Sequence, residues 1–222
     1  MPVRLLICDL DGTLVDSFRD IVTSCNLLLA SLDAPPLADE RIRPWIGRGV
    51  GYLVHGVLRE AGLPADDDTA FVSQFRALYR QHALDETCPY PGVRESLRRI
   101  TEDGGGLSIA ILSNKPERAT REILEALQLS TFFTLIAGGD SFEEMKPSPV
   151  PVLRIMEILG TPAAETAILG DSVYDLQAGK AAGVQTIAAT YGFQPVEMLK
   201  ALEPDYTVSA FGEVLNIPGI LP

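Results

Sequence analysis

Four groups of polar residues have the types and spacing to do chemistry on an anion. Asp9-Leu10-Asp11-Gly12-Thr13 follows directly on an apolar run at residues 3–8. Two carboxylates at the end of a buried strand are costly unless they are paired or bind a metal. Gly170-Asp171-Ser172-Val173-Tyr174-Asp175 holds a second acidic pair. Asp9, Asp11, Asp171 and Asp175 together offer the hard oxygen ligands that Mg²⁺ prefers. Ser113-Asn114-Lys115-Pro116 ends another apolar run. Ser113 and Asn114 could donate hydrogen bonds to phosphate oxygens, with a helix N-terminus beside them. Lys146-Pro147 follows Phe142, Glu143, Glu144 and Met145 as a lone cation. Its charge would offset that of a phosphate and of Asp9. Each group alone also fits a plainer role. Asp9 to Thr13 can be a turn with a helix cap, Asp171 and Asp175 an N-cap and a first-turn acid, Ser113-Asn114 a capped turn, and Lys146 a solvated lysine.

The elements around these groups follow from hydrophobic patterning. Residues 3–8 read as a short buried strand, broken at Asp11-Gly12-Thr13. Residues 16–87 carry helix-spaced apolar positions and no strand-like alternation. Helices are expected over about 18–31, capped by Asp16 or Ser17, then over 50–61 and about 67–83. Pro35-Pro36 and Gly47-Arg48-Gly49 separate them. From Pro89-Tyr90-Pro91-Gly92 onward, strands and helices alternate. Helices are expected at 93–103, 117–127, 149–159, 173–182 and 195–202. Strands are expected at 107–112, 135–137, 166–169, 184–188 and 206–208, with Gly104-Gly105-Gly106 before the first of these. The pattern predicts an α/β fold: a doubly wound, Rossmann-like parallel sheet with helices on both faces, interrupted by an all-helical insertion. Ligands bind such sheets beyond the carboxyl ends of the strands, and all four polar groups fall there or in the loop beyond.

Composition limits the partners. The 222-residue chain carries a net charge of −12. It should repel nucleic acid and anionic membranes, so neither is expected as a partner. It should also repel a phosphate ester, so a phosphate site needs a metal and a few placed cations. Cys8, Cys25 and Cys88 lack metal-ligand spacing and are expected to be reduced, with Cys8 and Cys25 buried. Residues 1–4 lead straight into a run too short for a secretory segment, and no stretch is long enough to span a bilayer. A cytoplasmic location is expected, as a monomer or homodimer. His55, His82, Trp45 and Tyr52 demand no chemical role.

All four groups occur in one chain, in one order. Jointly, Asp9-Leu-Asp11-Gly-Thr13, Ser113-Asn114, Lys146-Pro147 and Gly170-Asp171-x-x-x-Asp175 resemble the haloacid-dehalogenase-like phosphatase superfamily. The resemblance implies a core at residues 1–15 and 88–222 and a helical cap at 16–87. It implies that Asp9 is a nucleophile forming an aspartyl-phosphate and that Asp11 is the general acid and base. Mg²⁺ would be held by Asp9, the backbone carbonyl of Asp11 and Asp171, with Asp175 in an outer position or bound through water. Ser113, Asn114 and Lys146 would hold the phosphoryl group, and Thr13 would help orient Asp9 or its bound phosphate. Halide release is disfavoured because Asp11 is present. Phosphonate hydrolysis is disfavoured because residues 16–87 contain no lysine.

Ser113-Asn114-Lys115-Pro116 and Ile46-Gly47-Arg48-Gly49 look like the phosphoglycolate phosphatase branch. That implies a small phosphorylated metabolite as substrate, 2-phosphoglycolate first, with Arg48 reaching its carboxylate. Pyrophosphate, a nucleotide or a sugar phosphate are the alternatives. A sugar-phosphate mutase and a non-catalytic metal-binding or regulatory protein also stay open.

Overall fold

The computed structural model describes residues 2–65, 69–103 and 105–221. The expected start of the third helix at residue 67, and Gly104, lie outside them. The chain divides into two compact units, Met1–Asp16 with Pro89–Pro222, and Ser17–Cys88.

The larger unit is built on a six-stranded sheet. Its strands are β1 (Leu5–Cys8), β2 (Ser108–Leu112), β3 (Leu135–Ala137), β4 (Thr166–Gly170), β5 (Gln185–Ala189) and β6 (Tyr206–Val208). Their order across the sheet is β3-β2-β1-β4-β5-β6, every pair parallel. In β1 all four residues are buried, as a central strand covered on both faces requires. Leu5 and Ile7 join Ala110, Leu112, Ala137 and Ile168 in a core closed by Val152 and Ile155 of helix Val150–Leu159 and Ala178 of helix Val173–Ala182. Leu6 and Cys8 point to the other face by strand alternation. The chain leaves β1 for β2 on one side and later returns to β4 on the other. That reversal opens a crevice at the carboxyl end of β1.

Small differences from the sequence reading have local causes. Strand β5 begins at Gln185, one residue later than expected. Gly183 caps the preceding helix at φ +73°, and the Val184 N–H still bonds back to the Gly179 carbonyl. Val184 therefore belongs to the helix terminus. The last element is a 3-10 turn, Phe211–Asn216.

In the helical unit, Phe18–Ala30 packs on Thr69–His82, with Phe75 and Tyr79 stacked at 5.8 Å between ring centroids. Helix Val50–Glu60 starts after Gly49, which has a left-handed φ of +86°. Gly56 leaves the space that the Trp45 indole occupies, and Trp45 meets Tyr52 at 5.2 Å. A short helix, Asp39–Ile42, and a 3-10 turn, Arg43–Trp45, were not evident in the sequence pattern. Ser17 precedes the first helix but makes no side-chain capping bond. The informative polar residue there is Asp20, which is buried. Its carboxylate accepts from Glu86 N (3.0 Å), Thr87 N (2.9 Å) and Thr87 Oγ1 (2.6 Å). Asp20 thus clasps the two ends of the segment.

Replacing Asp20 by Ala would orphan those three donors. Urea unfolding of Asp20→Ala should show a loss of about 3 kcal/mol, since each buried unsatisfied group costs at least about 1 kcal/mol. A loss under about 0.5 kcal/mol, the size of an ordinary surface change, would contradict the clasp.

Candidate active site

Lys146 sits under the sheet edge and is only 1% exposed, not solvated. Its ammonium donates to the Leu112 carbonyl and to Asp175 Oδ1, both at 2.6 Å, and lies 3.1 Å from Asp9 Oδ1. An ammonium has three N–H donors, and here all three meet acceptors. Asn114 Nδ2 donates to the Lys146 carbonyl at 2.8 Å and so anchors its backbone. Burial works against the Lys146 charge, but Asp175 and Asp9 outweigh it and push its pKa up to about 12.

Asp9 extends from the end of β1. The Leu10 N–H donates to its Oδ1 at 2.7 Å, the same oxygen that faces Lys146. Burial raises the Asp9 pKa to about 7 despite the pull of Lys146. Burial also holds Asp171 well above the carboxylate range, helped by the charges of Asp9 and Asp175. Cys8 is buried, and both burial and Asp9 push its thiol further up, so it stays neutral.

Asp171 is gripped by residues from two other loops. Thr13 Oγ1 donates to its Oδ1 at 3.3 Å, and the Phe193 N–H to its Oδ2 at 2.6 Å. A Cβ at Gly12 or at Gly192 would overlap the Asp171 side chain. Tyr191 donates its hydroxyl to the Thr13 carbonyl at 2.8 Å and packs edge-on against Tyr90 at 5.0 Å. Asp175 closes a capping box with Ser172, whose N–H and Oγ both donate to Asp175 Oδ2.

The structure therefore brings Asp9, Thr13, Asn114, Lys146, Asp171 and Asp175 into one network, with Ser113 buried at the end of β2 beside it. Oxygen atoms of Asp9, Asp171 and Asp175 lie within 4.8 Å of one another. Three crowded, buried carboxylates against one lysine suit a hard divalent cation, so the donor set fits a metal. Asp11 stands apart from this triad. Its Oδ1 pairs with Lys115 Nζ at 2.8 Å. Arg48 belongs to the helical unit, exposed, with its guanidinium 5.0 Å from the Tyr52 ring centroid.

Sequence reasoning missed Tyr191 and the Phe193 amide as parts of this region, and it gave Lys115 a place in a motif but no partner. A signal existed for Tyr191 and Phe193: Tyr191-Gly192-Phe193 lies just beyond the carboxyl end of β5.

A family model described as haloacid dehalogenase-like hydrolase matches residues 6–189. The chain is 36% identical over 218 residues to a phosphoglycolate phosphatase of Chromobacterium violaceum, spanning 97% of this chain and 96% of that one. It is 35% identical over 215 residues to a phosphoglycolate phosphatase of Aquifex aeolicus, with the same two shares. A crystal structure from Haemophilus somnus, described as a predicted phosphoglycolate phosphatase, superposes with a TM-score of 0.91 at 29% identity over 97% of both chains.

Two outcomes are expected of this geometry. Gly192→Ala should push Asp171 out of place and weaken divalent-cation affinity by about 10- to 100-fold, the usual cost of disturbing groups behind a ligand. Isothermal titration would read it, and unchanged affinity would refute the cradle. The second outcome concerns pH. With the cation chelated, folded Asp9 holds a proton that the unfolded chain has lost between the ordinary value of 3.8 and about 7. Stability should therefore fall as pH rises through that window. An added cation replaces the proton, so its effect on melting temperature should be larger at pH 8 than at pH 5.5. An equal effect at both would argue against cation binding at these carboxylates.

Proposed function

The chain belongs to the haloacid dehalogenase-like hydrolase family, and we propose that it is a Mg²⁺-dependent phosphatase of small phosphorylated acids, with 2-phosphoglycolate as its substrate. The observation that carries this is the buried meeting of Asp9, Asp171 and Asp175, with Lys146 paired to the first and last of them, at the carboxyl edge of a parallel sheet. The relatives' names supply the substrate.

Asp9 is the nucleophile. Its Oδ1 is held by the Leu10 amide and Lys146, so the carboxyl plane is set and Oδ2 attacks phosphorus. The bond from phosphorus to the ester oxygen breaks, and that oxygen takes its proton from Asp11. The result is an aspartyl-phosphate and a free alcohol. Asp11 then takes a proton from water, which attacks the same phosphorus. Orthophosphate leaves and the Asp9 carboxylate is restored.

Asp9 and Asp171 would hold Mg²⁺ together with the Asp11 backbone carbonyl. Asp175 is committed to Lys146 and Ser172, which suits it to an outer position. When bound, the ion neutralises charge on the phosphoryl oxygens. Ser113 and the helix N-terminus beyond Pro116 offer donors to those oxygens, and Lys146 pulls the Asp9 pKa down against the effect of burial. Asn114 acts by holding Lys146. Thr13 acts on Asp171. The helical unit, residues 17–88, serves as the cap.

Phosphate release from 2-phosphoglycolate, pyrophosphate, nucleotides and sugar phosphates tests this. Release from 2-phosphoglycolate should need Mg²⁺ and vanish with chelator. Asp9→Asn should lose at least about 10³-fold in kcat, as removal of a covalent nucleophile does. Release confined to another ester would remove the substrate assignment and leave the chemistry. Transfer of phosphate between sugar positions without release would identify a mutase.

A further inference from the structure

Two of the four lysines in the chain stand at this sheet edge, and their situations differ. Lys146 is sealed, with three acceptors for three donors. Lys115 pairs with Asp11, and the two side chains keep 9% and 15% of their surface. The Lys115 backbone is fixed, since its N–H donates to Ser113 Oγ (3.3 Å) and its carbonyl accepts from Gly139 N (2.9 Å). The flexible four-carbon stem lets the ammonium change partner from that fixed point.

We propose that Lys115 determines specificity by binding a substrate carboxylate borne on the carbon next to the ester oxygen, exchanging Asp11 for it. This rests on the phosphatase reading, in which Asp11 faces the ester oxygen. A cation in contact with Asp11 then stands beside the leaving group and not beside the phosphoryl group. In an α-phosphoryloxy acid the carboxylate is separated from the ester oxygen by one carbon, so it falls beside the same ammonium. Electrostatics also call for such a residue. Four carboxylates crowd this edge of a chain with net charge −12, and a second anionic group on the substrate would be repelled without a local cation. Lys146 can give a bond to substrate only by losing one it has. Lys115 is a placed cation in the same unit as Asp11.

The test compares 2-phosphoglycolate with 2-hydroxyethyl phosphate, an ester of the same skeleton without the carboxylate, using the full chain with Mg²⁺. Wild type should prefer the acid. Lys115→Met should lower kcat/KM for the acid by about 10- to 100-fold, the worth of one charge-assisted hydrogen bond, chiefly through KM. The loss on the neutral ester should be at least about tenfold smaller, so that the preference for the acid falls. Lys115→Arg should keep most of the preference, and it decides the matter if the Met variant fails to fold. Equal losses on both esters would overturn the proposal, placing Lys115 behind Asp11 alone. So would a wild type indifferent to the carboxylate, with the phosphatase reading intact. Absence of release from either ester by wild type would overturn the phosphatase reading and this proposal with it.

Discussion

A lysine buried from solvent holds this sheet edge together. The Lys146 ammonium is surrounded by a carbonyl and two carboxylates, and no water is needed to satisfy it. Removing one partner of such a buried charge typically costs roughly 3–5 kcal/mol. Asp9 and Asp175 can lie side by side in the interior because that positive charge stands between them. Asp171 has no lysine of its own and relies on amide and hydroxyl donors from Phe193 and Thr13. Charge at the edge is thus left incompletely balanced, which is what a divalent cation would complete.

The scaffold explains why these groups meet. Strand β1 sits at the centre of the sheet, so loops from both halves of the topology pass its carboxyl end. Glycines do the fine fitting. Gly12 and Gly192 each remove a Cβ exactly where the Asp171 side chain needs room, one from the β1 loop and one from the loop after β5. Gly170 makes the same allowance for Asp175. The arrangement is therefore set by close backbone approach as much as by the acids themselves.

Much of this was legible in the chain. Helices Val93–Asp103 and Val173–Ala182 and strands Leu135–Ala137 and Tyr206–Val208 stand where periodicity put them, because their boundaries are marked by turn residues. The acidic pairs were readable because each follows a buried apolar run. The burial of Lys146 and its bond to Asp175 were not readable. A lysine among Glu143, Glu144 and Pro147 looks solvated until the fold turns it inward, and that turn depends on Asn114 far away in sequence. Asp20 was hidden for the same reason: its partners, Glu86 and Thr87, lie 66 and 67 residues on. Long-range polar contacts leave no periodic trace.

The spacing of these groups along the chain has a consequence for biosynthesis. Asp9 is made long before Lys146, Asp171 and Phe193. Central strand β1 gains its neighbour β4 only after residue 166 has emerged. A nascent chain that has not reached residue 166 therefore lacks Asp175 and part of the enclosure that shifts the acidity of Asp9. The pocket that changes its acidity closes only when these later segments join β1, so the chemistry of this carboxylate is switched on by the completion of the fold.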